Sequence, residues 1–300
     1  MGPRAPGKRE RLLRVRPALA HAPGSLRART GARLLTAAEN VIAETDSDED
    51  LRLLLAPGSS LGGARPKASI RDRDGHLALA KLPHRDDEID RVRWEATALA
   101  LAHRAGLTVP AWRLEIVGDR PVLILRRFDR AASTRIPFLS AMSMLGAAEH
   151  ETRSYLELVD VLRRYGAAPK EDMRALWRRI VFSILISNTD DHLRNHAFLY
   201  DGTDGWRLAP AYDLNPVPVD IKPRVLTTAI DLDDGRASLD RARGVAEYFE
   251  LSDGEARTIA SEVGQAVADW RQEAARHGLT AAAIDRMASA FEHEDLAAAR

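Results

Sequence analysis

The chain has 300 residues, 45% hydrophobic and 29% charged, a balance typical of a soluble globular protein that is long enough for two lobes. It contains no cysteine, which excludes disulfides and thiolate metal sites, and its 44 basic residues equal its 44 acidic residues, so no overall basic field favours nucleic acid. No apolar run approaches the roughly 20 residues of a membrane span, and no apolar secretion signal opens the chain, which predicts a cytoplasmic protein without membrane contact.

The first predicted element, residues 1–34, is a flexible arm rich in arginine. Proline, glycine and many arginines occur there with a single acid, Glu10, which is typical of a disordered segment. Direct binding of nucleic acid is not expected elsewhere in the chain, and the charge of the arm makes it the one candidate segment for such contacts.

Residues 35–128 are predicted to form a strand-rich lobe. Short alternating apolar runs bounded by turn residues indicate strands, and apolar residues spaced three or four apart indicate helices. The predicted helices span about 34–55 and 87–105, and the predicted strands span 68–71, 76–82, 112–117 and 122–127. Residues 129–300 are predicted to form a lobe that is mainly helical from residue 151 onward, with a wide apolar stripe over 171–187.

A stretch rich in glycine and proline, 57–66, separates the first predicted helix from the first strand. Gly62 and Gly63 carry no Cβ, which lets the backbone approach a triphosphate closely. The stretch matches neither G-x-G-x-x-G nor G-x-x-x-x-G-K-[ST], so taken alone it indicates an ordinary turn. It predicts a phosphate-covering loop only together with the residues that follow.

Lys81 lies inside an apolar strand pattern and shares a face of that strand with Leu77 and Leu79. A buried ammonium needs an anionic partner, because burying it unpaired costs several kcal/mol. The phosphates of ATP are such a partner, and Glu95 is another, since it interrupts the apolar stripe of the following helix. The alternative interpretation is a lysine that reaches water and a glutamate in a surface salt bridge.

The most informative stretch is SNTDDHLRNHAFLYDGTDGWRLAPAYD, residues 187–213. It places Asp190 five positions before Asn195, and Asp213 follows after a hairpin-sized interval. Phosphoryl transfer from ATP needs this spacing, because the first Asp accepts the proton of the attacking hydroxyl while the Asn and the last Asp hold magnesium. We therefore predict Asp190 as the catalytic base, Asn195 and Asp213 as Mg²⁺ ligands, and Lys81 as the phosphate-binding residue; Asp191 is expected only to hold the loop.

Five stretches in this order make the chain resemble a known family over about residues 51–293: SSLGGARPKA, LALAKLP, LILRRFDR, ISNTDDHLRNHAFL and GWRLAPAYDLNP. They resemble the HipA-like serine/threonine kinases, the toxin halves of bacterial toxin–antitoxin pairs. The resemblance implies an α+β, two-lobed protein-kinase-like fold, with Mg-ATP between a small strand-rich N-lobe and a larger helical C-lobe. It implies the same catalytic base, metal ligands and phosphate-binding lysine as the spacing does.

The resemblance also implies functional details that the spacing does not. Backbone groups near Arg126 and Phe128 would meet adenine, and Ser60 would be autophosphorylated within the phosphate loop, which switches the enzyme off. The implied partners are a protein substrate, such as an aminoacyl-tRNA synthetase, and a HipB-like helix-turn-helix antitoxin. The chain departs from the family in having only the arm and a helical stretch before Ser59, where a separate domain usually stands. It departs from ordinary protein kinases at Thr189, which stands where Arg precedes the catalytic Asp.

Two other function classes are compatible with the sequence. A metal-dependent phosphohydrolase would use His192 and His196, whose spacing would place both rings on one face of a helix beside Asp190 and Asp191, although Leu193 replaces the glutamate of the H-E-x-x-H pattern. A pseudokinase or antitoxin-binding module would keep the fold without turnover.

Overall fold

The computed structural model describes Thr36 and residues 66–300, except 73, 85, 86, 118, 132, 133 and 233. The predicted arm lies outside the described residues, as do the phosphate loop with Ser60, Gly62 and Gly63 and, apart from Thr36, the helix predicted over 34–55.

The described chain begins with a four-stranded antiparallel sheet. Its strands are β1 (Lys67–Arg71), β2 (Leu77–Lys81), β3 (Trp112–Val117) and β4 (Arg120–Arg126), in the spatial order β1-β2-β4-β3. All four predicted strands are confirmed, with ends shifted by at most two residues. The β1–β2 hairpin pairs Lys67 with Lys81, and on its other side β2 pairs Lys81 with Leu123 of β4.

The two faces of this sheet pack differently. One face buries a small apolar cluster that includes Ala68, Ala78, Ala80 and Ile124. The other face carries Leu123 and Leu125 into the main core, beside the helix α1 (Arg91–Arg104). Since residues paired directly across strands share a face, Lys81 lies on the α1 side of the sheet, as its strand pattern predicts.

Helix α1 is bounded by local signals at both ends. The Asp90 side chain accepts a hydrogen bond from the Arg93 N–H (3.0 Å) at the start, and Gly106 adopts φ +77° just beyond the end. The helix is shorter at its start than the predicted span of 87–105. The predicted inward stripe is confirmed, because all of its members are buried: Val92, Glu95, Leu99 and Ala102.

The remainder of the described chain is mainly helical. Its helices are α2 (Ala141–Leu145), α3 (Tyr155–Tyr165), α4 (Pro169–Leu185), α5 (Leu239–Gly244), α6 (Asp253–Ala268), α7 (Trp270–Arg276), α8 (Ala281–Arg286), α9 (Ala288–Phe291) and α10 (Glu294–Ala299). Helix α4 confirms the predicted apolar stripe, since its inward residues are fully buried. None of the helices that the structure describes is long and apolar enough to cross a membrane.

Two small sheets interrupt the helices. Strands β5 (Arg130–Ala131) and β6 (Thr134–Arg135) form a short hairpin, and β7 (Phe138–Ser140), β8 (Ala197–Tyr200) and β9 (Trp206–Leu208) form a three-stranded antiparallel sheet. The hairpin of β8 and β9 fills the interval between Asn195 and Asp213, as expected from its length. Strand β7 was not predicted, and it pairs with β8, which lies far along the chain.

An aromatic junction joins α1 to the C-terminal helices. The Trp94 ring centroid lies 6.2 Å from that of Trp270 and 6.1 Å from that of Phe291. Trp270 and Phe291 are stacked, with centroids 4.4 Å apart and ring planes 4° apart. The helix that carries Glu95 therefore shares one continuous core with α7 and α9.

Candidate active site

Lys81, Glu95 and Asp213 meet at the end of the inner strand β2. The Lys81 ammonium donates to both Glu95 carboxylate oxygens, at 2.6 and 2.8 Å, and to Asp213 Oδ1 at 2.8 Å. The Glu95 side chain is 5% exposed, whereas that of Asp213 is 42% exposed. The strand, the helix and the segment after β9 thus place two carboxylates around one ammonium. The alternative of a lysine that reaches water and a glutamate in a surface salt bridge is wrong, because Glu95 is buried and Lys81 is paired with it.

In this cluster Lys81 and Asp213 stabilise each other's charged forms, whereas the Glu95 carboxylate loses more by burial than it gains from Lys81. Burial lowers the pKa of Lys81, but the charges of Glu95 and Asp213 and the hydrogen bonds to both outweigh burial, so the pKa lies above its ordinary value. The charge of Lys81 lowers the pKa of Asp213 to about 2 against the opposing effect of burial. Burial raises the pKa of Glu95, and Lys81 only partly offsets this increase.

Asp213 is held in a strained backbone conformation. Its φ is +60°, a value that non-glycine residues rarely adopt and that recurs where function constrains the backbone. Asn215 donates from Nδ2 to Asp213 Oδ1 (3.1 Å). Among the described residues, no hydrogen bond is made to Oδ2, so this oxygen can face a ligand.

Asp190 and Asn195 occupy one loop that ends in a 3₁₀ turn, Leu193–Asn195. Asn195 is buried and donates from Nδ2 to the Asp190 carbonyl oxygen (3.0 Å), which leaves its amide oxygen available as an acceptor or metal ligand. The Asp190 side chain is exposed, and within the described part of the chain its carboxylate takes no hydrogen bond. An exposed carboxylate on a fixed backbone is suited to accept a proton from an incoming hydroxyl.

The loop and the Asp213 segment are joined directly. The Tyr212 hydroxyl donates to the Arg194 carbonyl oxygen (2.6 Å), so the immediate neighbours of Asp213 and Asn195 are hydrogen-bonded to each other. Burial raises the pKa of the Tyr212 phenol, which keeps it a donor. The segments that carry the two predicted metal ligands are therefore joined by a direct hydrogen bond.

The predicted hinge residues fall at the end of β4. The Phe128 ring lies 5.6 Å from the Tyr212 ring and 6.2 Å from that of Phe138, which places Phe128 beside the Asp213 segment. The Arg126 guanidinium instead contacts His76 Nδ1 (3.2 Å) at the β1–β2 turn. Of these two side chains, the structure brings only that of Phe128 to the site.

Lys67 is a site residue that the sequence analysis missed. It lies opposite Lys81 in the hairpin register and is half-buried. Burial lowers the pKa of Lys67, and the charge of Lys81 lowers it further, while the charges of Asp213 and Glu95 oppose both effects. The spacing around the β1–β2 turn would have predicted this position, since a register that pairs residue 71 with residue 77 also pairs 67 with 81.

The imidazole site predicted for a phosphohydrolase is wrong in its geometry. His192 and His196 flank the 3₁₀ turn with extended backbone angles, so they do not share a helix face. His196 is fully buried, with Nε2 3.0 Å from Asp191 Oδ1. In the described residues, no group of three or more His, Asp and Glu side chains is arranged to hold a metal ion.

A family model described as the HipA-like C-terminal domain matches residues 59–271, more than two thirds of the chain. The chain belongs to this family. Its two-lobed, kinase-like fold is matched by solved structures: HipA from the Shewanella oneidensis MR-1 toxin–antitoxin complex of HipA, HipB and operator DNA has a TM-score of 0.63 and 17% identity, with 87% of this chain and 70% of that one covered. The Helicobacter pylori proinflammatory kinase CtkA has a TM-score of 0.59 and 14% identity, with 79% of this chain and 90% of that one covered.

Two curated relatives are described as kinases. The "Putative kinase Y4mE" of Sinorhizobium fredii is 28% identical over 52% of this chain and 41% of its own length. A Haemophilus influenzae protein with a similar description is 29% identical over 54% of this chain and 54% of its own length. The matches thus span about half the length of these relatives. Together with the family, they support a kinase-like function, which in general uses a nucleotide and a metal.

Proposed function

We propose that this HipA-like chain is an ATP- and Mg²⁺-dependent serine/threonine protein kinase. The observation that carries the proposal is the contact of Lys81 with both Glu95 and Asp213, because it joins the sheet to the segment that follows the Asp190–Asn195 loop. Phosphoryl transfer depends on positioning and charge, and these residues are the ones it requires. We also propose that the lobes divide near residue 128, and that Gly62 and Gly63 belong to a phosphate-covering loop.

The residues present fit a magnesium site of the kinase type. The Asn195 amide oxygen and the Asp213 carboxylate are oxygen donors, which Mg²⁺ prefers, and Mg²⁺ commonly binds to one or two protein ligands while phosphates and water complete its shell. Bound Mg²⁺ neutralises charge on the β- and γ-phosphates. Lys81 would hold those phosphates, and Glu95 would keep its ammonium in place.

Asp190 would orient the acceptor hydroxyl and take its proton as the γ-phosphoryl group is transferred. We propose that backbone groups near Arg126 and Phe128 contact adenine, with the Phe128 ring packed against Tyr212 beside them. The substrate would be a translation component such as an aminoacyl-tRNA synthetase, and the chain would act as a toxin-like growth regulator with a HipB-like antitoxin. The HipA structure that the fold matches is in complex with HipB and DNA, which supports this choice of partner.

The direct test is incubation with γ-labelled ATP and Mg²⁺, with casein as a serine-containing acceptor. We expect the wild type to label itself and casein, and Asp190→Ala to lose roughly 10²- to 10⁴-fold of this rate. Asp240→Ala removes a carboxylate that is 94% exposed and distant in sequence, and should keep full activity. Ser60→Ala should lose self-labelling but still label casein. A wild type that binds Mg-ATP and labels nothing, including protein in cell extract, would show the fold without the activity.

A further inference from the structure

Asp191, the residue after Asp190, is buried at the centre of several hydrogen bonds. Its side chain is 3% exposed, and its Oδ2 accepts from the Tyr155 hydroxyl (2.5 Å) and from Ser183 Oγ (3.2 Å). Its Oδ1 lies 3.0 Å from His196 Nε2. One carboxylate thus contacts α3, α4 and the residue that precedes β8.

The backbone around Asp190 is fixed by a pair of threonines. Thr227 donates from its N–H (3.1 Å) and its hydroxyl (3.0 Å) to the carbonyl oxygen of Thr189. Thr228 donates in the same way, at 3.2 and 2.7 Å, to the carbonyl oxygen of Asp191. The carbonyl groups of the residues on both sides of Asp190 are therefore held, although the Asp190 side chain is exposed.

The burial of Asp191 is compensated by nearby positive charge. Burial raises the pKa of Asp191, but His196, the Tyr155 hydrogen bond and the charge of Arg179 together lower it by more, so the pKa lies below its ordinary value and the carboxylate stays ionised. Arg179 is itself buried, and its guanidinium donates to the Ala209 carbonyl oxygen (2.7 Å). A buried charge is unfavourable unless it is paired, so a charge retained here is consistent with a role beyond stability.

A hydrogen-bonded path leads from Asp191 to the other side of the site. Ser183 Oγ, which donates to Asp191, accepts from Asn188 Nδ2 (3.3 Å). Asn188 Oδ1 accepts from the Asn215 N–H (3.0 Å), and Asn215 Nδ2 donates to Asp213 Oδ1 (3.1 Å). We call this path, through Ser183, Asn188 and Asn215, the Asp191 chain.

We propose that Asp191 is a positioning residue that fixes the direction of Asp190 and, through the Asp191 chain, its placement relative to Asp213. Because no described group holds the Asp190 carboxylate itself, its direction is set by the backbone on which it stands. The inference rests on the proposed phosphotransfer, in which base and metal ligand must be held in register to within a fraction of an ångström.

The test compares Asp191→Asn with Asp172→Asn in the full chain. Asp172 is a matched control: its side chain is 7% exposed, it lies on the same helix as Ser183, and it binds Arg207 and the Leu208 N–H without contacting the Asp191 chain. We expect both variants to melt at lower temperature than the wild type. Asp191→Asn should lower kcat by about 10- to 100-fold with the KM for ATP changed less than about twofold, and Asp172→Asn should change neither.

Hydrogen exchange supplies a readout that does not need catalysis. In Asp191→Asn, amides of 187–197 and 213–215 should exchange faster than in the wild type, whereas Asp172→Asn should affect only 169–173 and 206–208. Equal kcat in the two variants, or unchanged exchange over 187–197 in Asp191→Asn, would overturn the proposal.

If Asp191→Asn does not fold, Ser183→Ala removes one link of the Asp191 chain and should give the same pattern with a smaller amplitude. A wild type without phosphotransfer would count against the kinase function, while the exchange data would still decide whether Asp191 fixes the loop.

Discussion

The two walls of the proposed cleft are built by different means. One wall is an antiparallel sheet in regular register, and it presents Lys67 and Lys81 side by side. The other wall consists of loop segments, 187–195 and 211–215, in which Ser187 (φ +51°) and Asp213 (φ +60°) adopt left-handed backbone angles. We call the first the lysine wall and the second the loop wall. The lysine wall is held by repeated strand pairing, whereas the loop wall is held by individual buried hydrogen bonds.

This difference indicates how each wall should respond to change. On the lysine wall, a substitution alters charge while the register of the strands persists. On the loop wall, the loss of one partner leaves buried polar groups unpaired, which costs about 1–3 kcal/mol per group and displaces the residues that act in the reaction. Substitutions on the loop wall should therefore reduce activity more than substitutions on the lysine wall.

The largest expected effect is on the loop wall, at Asp213. We expect Asp213→Asn to reduce phosphotransfer by roughly 10²- to 10³-fold, because a charged metal ligand and a partner of Lys81 are lost together. Single-turnover transfer from labelled ATP measures this effect. Asp240→Asn is the control, and a loss of less than fivefold in Asp213→Asn would remove Asp213 from the metal site.

The next effect concerns the junction that unites the two walls. Phe291→Ala should lower the free energy of unfolding by about 3–5 kcal/mol, because it leaves a cavity beside the stacked Trp270 and the nearby Trp94. Urea unfolding followed by tryptophan fluorescence would report it. Two separate unfolding transitions in the wild type would contradict a shared core.

A third prediction concerns stability in acid and a histidine outside both walls, at the start of α10. Burial and the charge of Arg224 lower the pKa of His293 to about 4, so His293 is neutral when folded. Its stabilising effect is present above the unfolded pKa of about 6.5 and is lost as the pH falls toward 4, by roughly 3 kcal/mol at about 1.36 kcal/mol per unit.

His293→Asn keeps an acceptor for the Leu296 N–H, which caps α10, and removes this titration. Unfolding measured at pH 7 and pH 4.5 should show a smaller acid loss in the variant than in the wild type. Equal losses would assign the acid sensitivity to other groups.

The smallest effect is expected on the lysine wall. Lys67→Met should weaken ATP binding by about 3- to 10-fold, since one positive charge near the phosphates is worth about 1 kcal/mol in a partly solvated site, and it should leave kcat unchanged. Titration calorimetry at two salt concentrations would measure it. Lys170→Met, at an exposed position of α4, should bind ATP like the wild type.

The lysine wall could be predicted from the sequence to a large extent. Alternation of apolar residues gave the strands, and the position of Glu95 within an apolar helical stripe indicated that it faces the core, where it contacts Lys81. Lys67 was missed because its pairing follows from the hairpin register rather than from any property of its neighbours. A local sequence pattern therefore predicts which face of a strand or helix a residue occupies, but not which residue it contacts.

The loop wall could be predicted only as a set of residues. The spacing from Asp190 to Asn195 and Asp213 reflects the chemistry, and it identified candidates without showing how they are held. The contact of Tyr155 with Asp191 joins positions 36 residues apart, and the segment 209–238, where Thr227 and Thr228 lie, has no helix or strand longer than an isolated bridge among its described residues. Such contacts follow from the tertiary fold, and no periodicity in the sequence predicts them.

The packing of Trp94 restrains the helix that carries Glu95, and this limits how the activity can be regulated. Its neighbour Glu95 reaches Lys81 from the same helix, and the Trp94 ring is packed against Trp270 and Phe291. Swinging this helix outward to separate Glu95 from Lys81 would require the contacts of Trp94 with Trp270 and Phe291 to open. Displacing this helix is therefore an unfavourable way to inactivate the molecule. Inhibition by a partner or a modification should instead act on the loops or by covering the cleft.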